Sequence, residues 1–284
     1  MFYTIKNDVL SLTVSTLGAE AISLKYKGEE KIWQNPTGEW AGHAYVLFPT
    51  CGNFGIKVDG KHYPIRFHGI ARYAQFTLVD QTETSLTFAI STSEETKKVY
   101  PYDFTFKVTY TLDGNKYNID YTVINHDTKP MYFACGGHES FNLEKDVDAY
   151  KLVFEKNERL MPEVERGREV CEYTCIDCGT AKEFPLPVEC MKNDETLIFK
   201  NVQSQTVTLC EKTGEALAKI TYAKQFAHLL LWRSKQAKYI CIEPWSNLPE
   251  SDETKELDLS QKPGAIKLDG KQTLVLNRSI TYLK

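Results

Sequence analysis

Residues 104–124 read FTFKVTYTLDGNKYNIDYTVI and decide the fold class. Apolar and aromatic residues alternate with polar ones over residues 104–112 and again over residues 117–123. This period of two is typical of a strand with one buried face, and the Asp113-Gly114 dipeptide between the two runs is a turn signal. The stretch therefore predicts an antiparallel β-hairpin.

Strand-like runs of the same kind recur along the chain, at residues 9–14, 76–90, 197–209 and 274–282. Turn dipeptides separate such runs at Lys27-Gly28, Asp59-Gly60, Thr213-Gly214 and Asp269-Gly270. Helical periodicity is scarce and strands do not alternate with helices, which argues against a parallel α/β sheet. We predict an all-β protein of antiparallel strands in packed sheets. Because no Pro-, Ser- or Gly-rich linker interrupts the chain, we expect one domain over residues 1–284.

Composition and charge argue against nucleic acid and membranes as partners. The chain has 284 residues, 42% of them hydrophobic, and a formal net charge of −4. It has no block of Lys or Arg that would attract nucleic acid or an acidic membrane surface, and no apolar run near the ~20 residues of a membrane span. The N-terminal sequence lacks the pattern of a signal peptide, so we expect a cytoplasmic location and eight reduced cysteines.

Three short segments carry the groups suited to proton transfer: FHGIARY at residues 67–73, CGGHESFNL at residues 135–143 and CIEPW at residues 241–245. They supply His68, His138 and Glu243. A lone histidine is more often a surface or core residue than a catalytic one. However, Gly69 permits a tight turn or a close approach after His68, and the two glycines before His138 suggest irregular backbone at a strand end.

Glu243 follows an apolar run that is typical of a central strand. Burial there would raise the pKa of its carboxyl towards that of a useful base, whereas a strand end reaching solvent before Pro244 is the ordinary alternative. Two imidazoles and a carboxylate indicate acid–base chemistry on a small polar substrate.

The ordered set of motifs resembles the aldose 1-epimerase (mutarotase) family, in its LacX-like branch. The matching pieces span nearly the whole chain, and they are Leu47-Phe48-Pro49, Cys51-Gly52, His68-Gly69-Ile70-Ala71-Arg72, Tyr100-Pro101, His138-Glu139-Ser140-Phe141-Asn142-Leu143, Asn193-Asp194 and Ile242-Glu243-Pro244-Trp245. The resemblance implies a large antiparallel β-sandwich with an open sugar cleft, a small-molecule sugar as the partner, and no cofactor or metal.

The resemblance also implies roles. Glu243 matches the general base, His138 the general acid, His68 a second imidazole that hydrogen-bonds the substrate, and Asp194 a carboxylate that holds sugar hydroxyls. Interconversion of α and β anomers requires that a base take the proton of the C1 hydroxyl while an acid protonates the ring oxygen. We expect the two groups to approach the sugar from different sides.

One position departs from the family pattern. The family often carries an Arg after the Cys51-Gly52 turn, where this chain has Asn53. Arg72 or Arg66 is the candidate to replace it in sugar binding, and Trp245 offers a flat face for stacking or else belongs to the core. The departure leaves the sugar open, free or phosphorylated, and it admits a non-catalytic carbohydrate-binding protein on the same scaffold. A lyase or a hydrolase is a third possibility, because a glycosidase could pair Glu243 with Asp194.

Cysteines at residues 171, 175 and 178 have a C-x₃-C-x₂-C spacing that is also found in iron–sulfur sites of βα-barrel enzymes. This chain shows no βα alternation around them. With Cys190 they would make four thiolates for zinc, but no glycine turn lies between them. We interpret them as buried or loop thiols.

Overall fold

The computed structural model describes residues 1–52, 55–166, 169–171, 176–235, 237–249 and 254–284. Strands dominate these residues. One short α-helix, α1, spans Glu94–Lys97, and the 3₁₀ turns span Ala71–Tyr73, Val147–Ala149, Val188–Cys190 and Leu259–Gln261. Among the described residues no helix has the length and apolar character needed to cross a membrane.

The strands follow one another in chain order. The first twelve are β1 (Phe2–Lys6), β2 (Leu10–Ser15), β3 (Ala21–Tyr26), β4 (Glu29–Glu30), β5 (Ala44–Leu47), β6 (Ile56–Val58), β7 (Lys61–Tyr63), β8 (Thr77–Gln81), β9 (Ser85–Ser91), β10 (Phe104–Asp113), β11 (Lys116–Asn125) and β12 (Met131–Phe133). The remainder are β13 (Gly136–Asn142), β14 (Tyr150–Arg159), β15 (Glu163–Arg166), β16 (Glu169–Cys171), β17 (Thr180–Pro185), β18 (Thr196–Phe199), β19 (Thr206–Glu211), β20 (Ala216–Tyr222), β21 (His228–Trp232), β22 (Tyr239–Trp245), β23 (Ile266–Leu268) and β24 (Thr273–Tyr282).

Two large antiparallel sheets make up most of the molecule. A nine-stranded sheet has the order β17-β14-β19-β20-β24-β11-β10-β9-β8, and a seven-stranded sheet has the order β16-β15-β18-β21-β22-β13-β5. The main hydrophobic core contains inward residues of both sheets, for example Phe106 and Tyr121 of the first and Phe141 and Ile242 of the second. A four-stranded sheet of β1–β4 adds to the same core. The predicted all-β antiparallel sandwich is confirmed.

The predicted hairpin is β10–β11, and its pairing runs from Phe104–Asn125 to Asp113–Lys116. Its two-residue loop is Gly114-Asn115, one position later than the turn dipeptide predicted from the sequence, because Asp113 still pairs within the ladder. Side chains alternate between buried and half-buried along β10, as the period-two pattern requires.

Two of the other predicted runs are longer than a single strand. Residues 76–90 divide into β8 and β9, and residues 197–209 fall in β18 and β19. Helix α1 was not expected, and its stabilising feature is a capping box in which Ser93 and Thr96 bond each other's backbone N–H. The extent of the domain, residues 1–284, stays a prediction.

Most of the described cysteines are free thiols, as predicted from the sequence, and one is not. Cys51, Cys135, Cys178, Cys210 and Cys241 are free. Cys190 is disulfide-bonded, so the expectation of eight reduced thiols is wrong at this position, and a bonded Cys190 cannot serve as a zinc thiolate. The side chains of Cys171 and Cys175 lie outside the described residues.

Candidate active site

The outer face of the seven-stranded sheet forms the floor of a cleft. In β22 the side chains of Ile240 and Ile242 enter the main core, so Cys241, Glu243 and Trp245 face the opposite way. The cleft has a volume of about 500 Å³, and its lining consists of Trp40, Phe67, His68, Arg72, His138, Glu165, Asn193, Asp194, Thr196, Trp232, Glu243 and Trp245. The structure therefore brings together all of the predicted site residues that it describes.

Strand register brings His138 and Glu243 side by side. The β13–β22 ladder pairs Gly136 with Trp245 and Glu139 with Ile242, which sets His138 opposite Glu243. Nε2 of His138 lies 3.4 Å from Oε2 of Glu243. Acid and base candidates thus lie next to each other on the floor and do not approach from different sides. Neighbouring groups suit anomerisation equally well, because the C1 hydroxyl and the ring oxygen are both bonded to C1.

Burial disfavours the charged form of both members of this pair. Glu243 is 1% exposed and His138 7%. Desolvation raises the pKa of Glu243 well above its usual range, and the charges of Glu139 and Glu165 add to this effect while Arg72 opposes it. Desolvation lowers the pKa of His138 to about 3, with a further contribution from Arg72. The direction expected for the pKa of Glu243 is confirmed, and in both groups burial favours the neutral form over the charged one.

Aromatic rings enclose the His138 imidazole. Trp40 stacks on it with ring centres 5.3 Å apart, and Trp232 and Tyr45 meet it edge-on at 5.7 Å and 5.9 Å. These contacts fix the ring plane, so that Nε2 stays directed at Glu243. Trp40 and Trp232 are both half-buried, and they present apolar surface to the cleft.

His68 is held over the floor by a strained loop. Its φ of +67° is in the left-handed region, which non-glycine residues rarely adopt. At Gly69 a Cβ would lie 2.2 Å from the carbonyl oxygen of Phe48, so only glycine permits this approach. The loop crosses the end of β5, and it brings the His68 ring to 5.6 Å from His138 and 5.5 Å from Trp245.

Arg72 supplies the positive charge of the cleft. Its guanidinium packs over the Tyr45 ring at 3.7 Å from the ring centre, and it lines the cleft from the 3₁₀ turn Ala71–Tyr73. Arg66, the other candidate, packs over Tyr73 at 3.4 Å and is not among the described lining residues. Of the two arginines, Arg72 is therefore the one placed to meet a substrate.

Asp194 lies at the mouth of the cleft, exposed and with a φ of +65°. Its Oδ1 accepts a hydrogen bond from the backbone N–H of Lys235 at 3.0 Å, and its carbonyl oxygen accepts one from the Trp232 indole at 3.2 Å. These bonds tie the Asp194 loop to the end of β21.

Trp245 is almost completely buried in the floor of the cleft. It is 3% exposed, and its indole N–H donates to the Gly137 carbonyl at 3.1 Å. Little of its face is available for a sugar, so a stacking role fits Trp40 and Trp232 better. Asn53, the residue that departs from the family pattern, lies outside the described residues.

Glu165 and Trp40 are two of the lining residues that the sequence reasoning missed. Glu165 of β15 is 8% exposed and pairs with Thr196, so it projects into the cleft across the sheet from Glu243. Only the alternation of Glu163 and Glu165 hinted at a shared face. Trp40 precedes β5 in an irregular segment with no distinguishing local pattern.

Comparison with known proteins identifies the family of this chain. Residues 1–168 match the model of the family described as aldose 1-epimerase. The chromosomal protein LacX of Lactococcus lactis subsp. lactis is 32% identical over 307 aligned positions, which cover the whole of both chains. The chain belongs to the aldose 1-epimerase family.

Solved structures of the same kind superpose closely. A galactose mutarotase related enzyme from Lactobacillus acidophilus has a TM-score of 0.88 at 28% identity, covering 100% of this chain and 98% of that one. A galactose mutarotase-like protein from Lactobacillus casei has a TM-score of 0.85 at 26% identity, with 100% of both chains covered. The galactose mutarotase-like sandwich is therefore the fold of this aldose 1-epimerase family member.

The family match divides the site. It includes His68, Arg72 and His138, whereas Asp194 and Glu243 lie beyond residue 168. The part of the site inside the family match and the part beyond it are joined by the β13–β22 pairing, which sets His138 beside Glu243.

The reverse side of β13 carries a second buried carboxylate. Glu139 accepts two hydrogen bonds from the Arg278 guanidinium, at 2.5 Å and 2.8 Å, and Arg278 also donates to the Tyr121 hydroxyl at 2.6 Å. A Cβ at Gly137 would lie 1.8 Å from Nη1 of Arg278, and one at Gly136 would lie 2.5 Å from Cδ1 of Trp245. The two glycines are therefore part of a regular strand that is packed closely on both faces, and the irregular backbone expected there is absent from β13.

Proposed function

We propose that this protein is an aldose 1-epimerase that interconverts the α and β anomers of an aldohexose or a hexose phosphate. The observation that carries the proposal is the contact between His138 and Glu243 on the floor of a polar, aromatic-rimmed cleft. Two ionisable groups within reach of one C1 centre are what ring opening and closing require.

In the proposed cycle Glu243 takes the proton of the C1 hydroxyl while His138 gives a proton to the ring oxygen. The C1–O5 bond breaks, leaving an open-chain aldehyde, a protonated carboxyl and a neutral imidazole. Rotation about C1–C2 turns the aldehyde over. Glu243 then returns its proton to the carbonyl oxygen as the C5 oxygen attacks C1 and yields its proton to His138, so no proton is gained or lost in the cycle.

The burial of the pair suits the middle of this cycle. Protonated Glu243 and neutral His138 are the forms that desolvation favours, and they are the forms present while the sugar is open. The protein's interior therefore stabilises the state that accompanies the high-energy aldehyde.

The remaining lining residues hold the sugar. His68 and Arg72 lie above the floor and donate to sugar oxygens, whereas the carboxylates of Asp194 and Glu165 accept from sugar hydroxyls. Trp40 and Trp232 cover apolar faces of the ring. Such a mixture of flat apolar surface and convergent polar groups is typical of small-molecule sites.

A neighbouring pocket bears on the choice of sugar. It adjoins the cleft at Asn193 and Asp194, and Lys192, Lys235 and Glu39 complete its lining. Its two ammonium groups are offset by the carboxylates of Glu39 and Asp194, and Nζ of Lys192 is already paired with Glu189. The pocket therefore does not favour a phosphate over a free hydroxyl, and an aldohexose and a hexose phosphate are both candidate substrates.

The test follows the optical rotation of freshly dissolved α-glucose, α-galactose and α-glucose 6-phosphate, with and without protein. We expect equilibration faster than the spontaneous rate for at least one of these sugars, and loss of the acceleration in Glu243→Gln. Sugar binding without acceleration of any of the three would indicate a non-catalytic carbohydrate-binding protein instead of an enzyme. Acceleration that persists in Glu243→Gln would overturn the assigned base.

A further inference from the structure

Cys241 has no part in the proposed reaction, yet it lies beside the reacting pair. It precedes Glu243 by two residues in β22, so both side chains project from the same face of the sheet. Its Sγ, a nitrogen of His138 and a carboxylate oxygen of Glu243 all lie within 4.8 Å of one another. All three side chains are buried, and Cys241 is a free thiol.

The spacing of these atoms matches a zinc coordination sphere. Zinc binds nitrogen and oxygen at about 2.0–2.2 Å and sulfur at about 2.3 Å, so two ligands of a tetrahedral ion lie roughly 3.3–3.7 Å apart. Nε2 of His138 and Oε2 of Glu243 are 3.4 Å apart without any adjustment. Sγ of Cys241 lies within 4.8 Å of both atoms, so a shift of about 1 Å brings it to the third corner.

The donor set selects the kind of ion. Thiolate and imidazole suit Zn²⁺, whereas Mg²⁺ and Ca²⁺ prefer oxygen ligands throughout. A thiolate and a carboxylate would neutralise the two charges of the ion in this buried place. Because His138 and Glu243 also line the cleft, an ion between them keeps one open coordination position towards solvent.

We propose that Zn²⁺ binds to His138, Cys241 and Glu243 and thereby blocks the cleft of this protein. The ion takes the lone pairs of both members of the acid–base pair, and it displaces two protons, the thiol proton and the proton held by the pair, which both leave to the buffer. Its effect is inhibition, because neither member can then transfer a proton to or from the sugar. The inhibition rests on the proposed function, but the binding does not.

The binding is tested with Co²⁺ as a spectroscopic probe, followed by displacement with Zn²⁺. We expect a thiolate-to-cobalt charge-transfer band in the intact protein and its loss in Cys241→Ser and Cys241→Ala. The control is Cys178→Ser, which removes a different free thiol, one that is half-buried where Cys241 is buried, and it should keep the band. A band that survives in folded Cys241 variants, or that is absent from the intact protein, would overturn the site.

A second variant guards against misfolding of the Cys241 variants. Glu243→Gln preserves the shape of the site and removes one charged ligand. We expect Zn²⁺ affinity, measured by calorimetry, to fall by at least ~10–100-fold, the loss typical even for residues that only support a metal ligand. Unchanged affinity in this variant would contradict the proposal.

The inhibition is tested in the anomerisation assay. Zn²⁺ should slow the reaction of the intact protein and of Cys178→Ser, and a chelator should restore it. In Cys241→Ala, each Zn²⁺ titration is referred to the variant's own rate without metal, and at least ~10-fold more Zn²⁺ should be needed. Equal sensitivity of Cys241→Ala would overturn the proposed inhibition. A protein without anomerase activity would leave the cobalt and calorimetric results to decide the site.

Discussion

Glu139 and Glu243 lie on neighbouring strands, are buried to almost the same degree and face opposite sides of one sheet. Glu139, 5% exposed, is held by two hydrogen bonds from Arg278 in the core between the sheets. Glu243, 1% exposed, has an imidazole at 3.4 Å and opens onto the cleft. The group beside a buried carboxylate therefore decides its role. The Arg278 guanidinium is always charged and fixes the Glu139 carboxylate in place, whereas the His138 imidazole, whose pKa is lowered, can exchange a proton with Glu243.

The sharpest test of this contrast is Glu243→Gln. Loss of a positioned base should reduce the anomerisation rate by ~10²–10⁴-fold, about 3–5 kcal/mol in the activation barrier. The neutral amide is easier to bury than a carboxylate, so the thermal unfolding temperature should stay close to that of the parent. The measurement pairs polarimetry with a thermal melt. A variant that lost its fold along with its activity would erase the distinction between the two carboxylates.

Arg278→Met examines the opposite face. It leaves Glu139 buried without its cation, and breaking such a pair typically costs ~3–5 kcal/mol of unfolding free energy. Chemical denaturation measures the loss. The double variant Arg278→Met/Glu139→Leu removes both charges and should recover most of it. If the single variant were as stable as the parent, the ion pair would have no structural role.

His228 adds a third buried ionisable group, on β21 of the same sheet. Desolvation, with the charge of Lys200, lowers its pKa to about 4, and its Nδ1 accepts the backbone N–H of Asn201 at 3.3 Å. An unfolded histidine titrates near 6.5, so the unfolded chain binds the extra proton first as the pH falls. His228 should therefore remove stability between pH 6.5 and 4, by up to ~3 kcal/mol.

The measurement compares the unfolding free energy of the parent and of His228→Gln across this range. Glutamine keeps an acceptor for Asn201 and does not titrate. We expect the parent to lose stability relative to the variant as the pH falls from 6.5 to 4. Parallel curves would mean that His228 is protonated alike in the folded and unfolded chains.

The smallest expected effect belongs to Glu165→Ala. Removing a charged acceptor of sugar hydroxyls should raise KM about 10-fold, ~1.5 kcal/mol, with little change in kcat. Glu163→Ala is the matched control, because Glu163 lies on the same face of β15, pairs with Lys200 and is not among the described cleft residues. A fall in kcat with KM unchanged would move Glu165 from sugar binding to the chemistry.

Local patterns predicted the strands better than the site. The β10–β11 hairpin followed from alternation and a turn dipeptide, since both are local in sequence. The contact of His138 with Glu243 depends on the register of two strands about a hundred residues apart, which alternation alone does not determine. The motifs and their family resemblance named both residues, but they did not show that the residues are neighbours.

Residues with no local signal escaped the sequence reasoning. Glu165 joins the cleft only because β15 lies beside β18 in the sheet. The Gly136-Gly137 pair was interpreted as irregular backbone, yet the glycines make room for Trp245 and Arg278, which come from far along the chain. Close packing against distant side chains is a tertiary property, and it leaves the same mark in the sequence as a turn.

The left-handed backbone at His68 and Asp194 has a consequence for how this protein changes under selection. Each of the two positions holds a non-glycine residue in a conformation that glycine adopts more easily, by roughly 1 kcal/mol. A library screened only for heat resistance should therefore enrich replacements at these two positions. The enriched variants would be more heat-stable but would lack the His68 or Asp194 side chain in the cleft. A screen for thermostable variants of this chain therefore has to select for turnover as well.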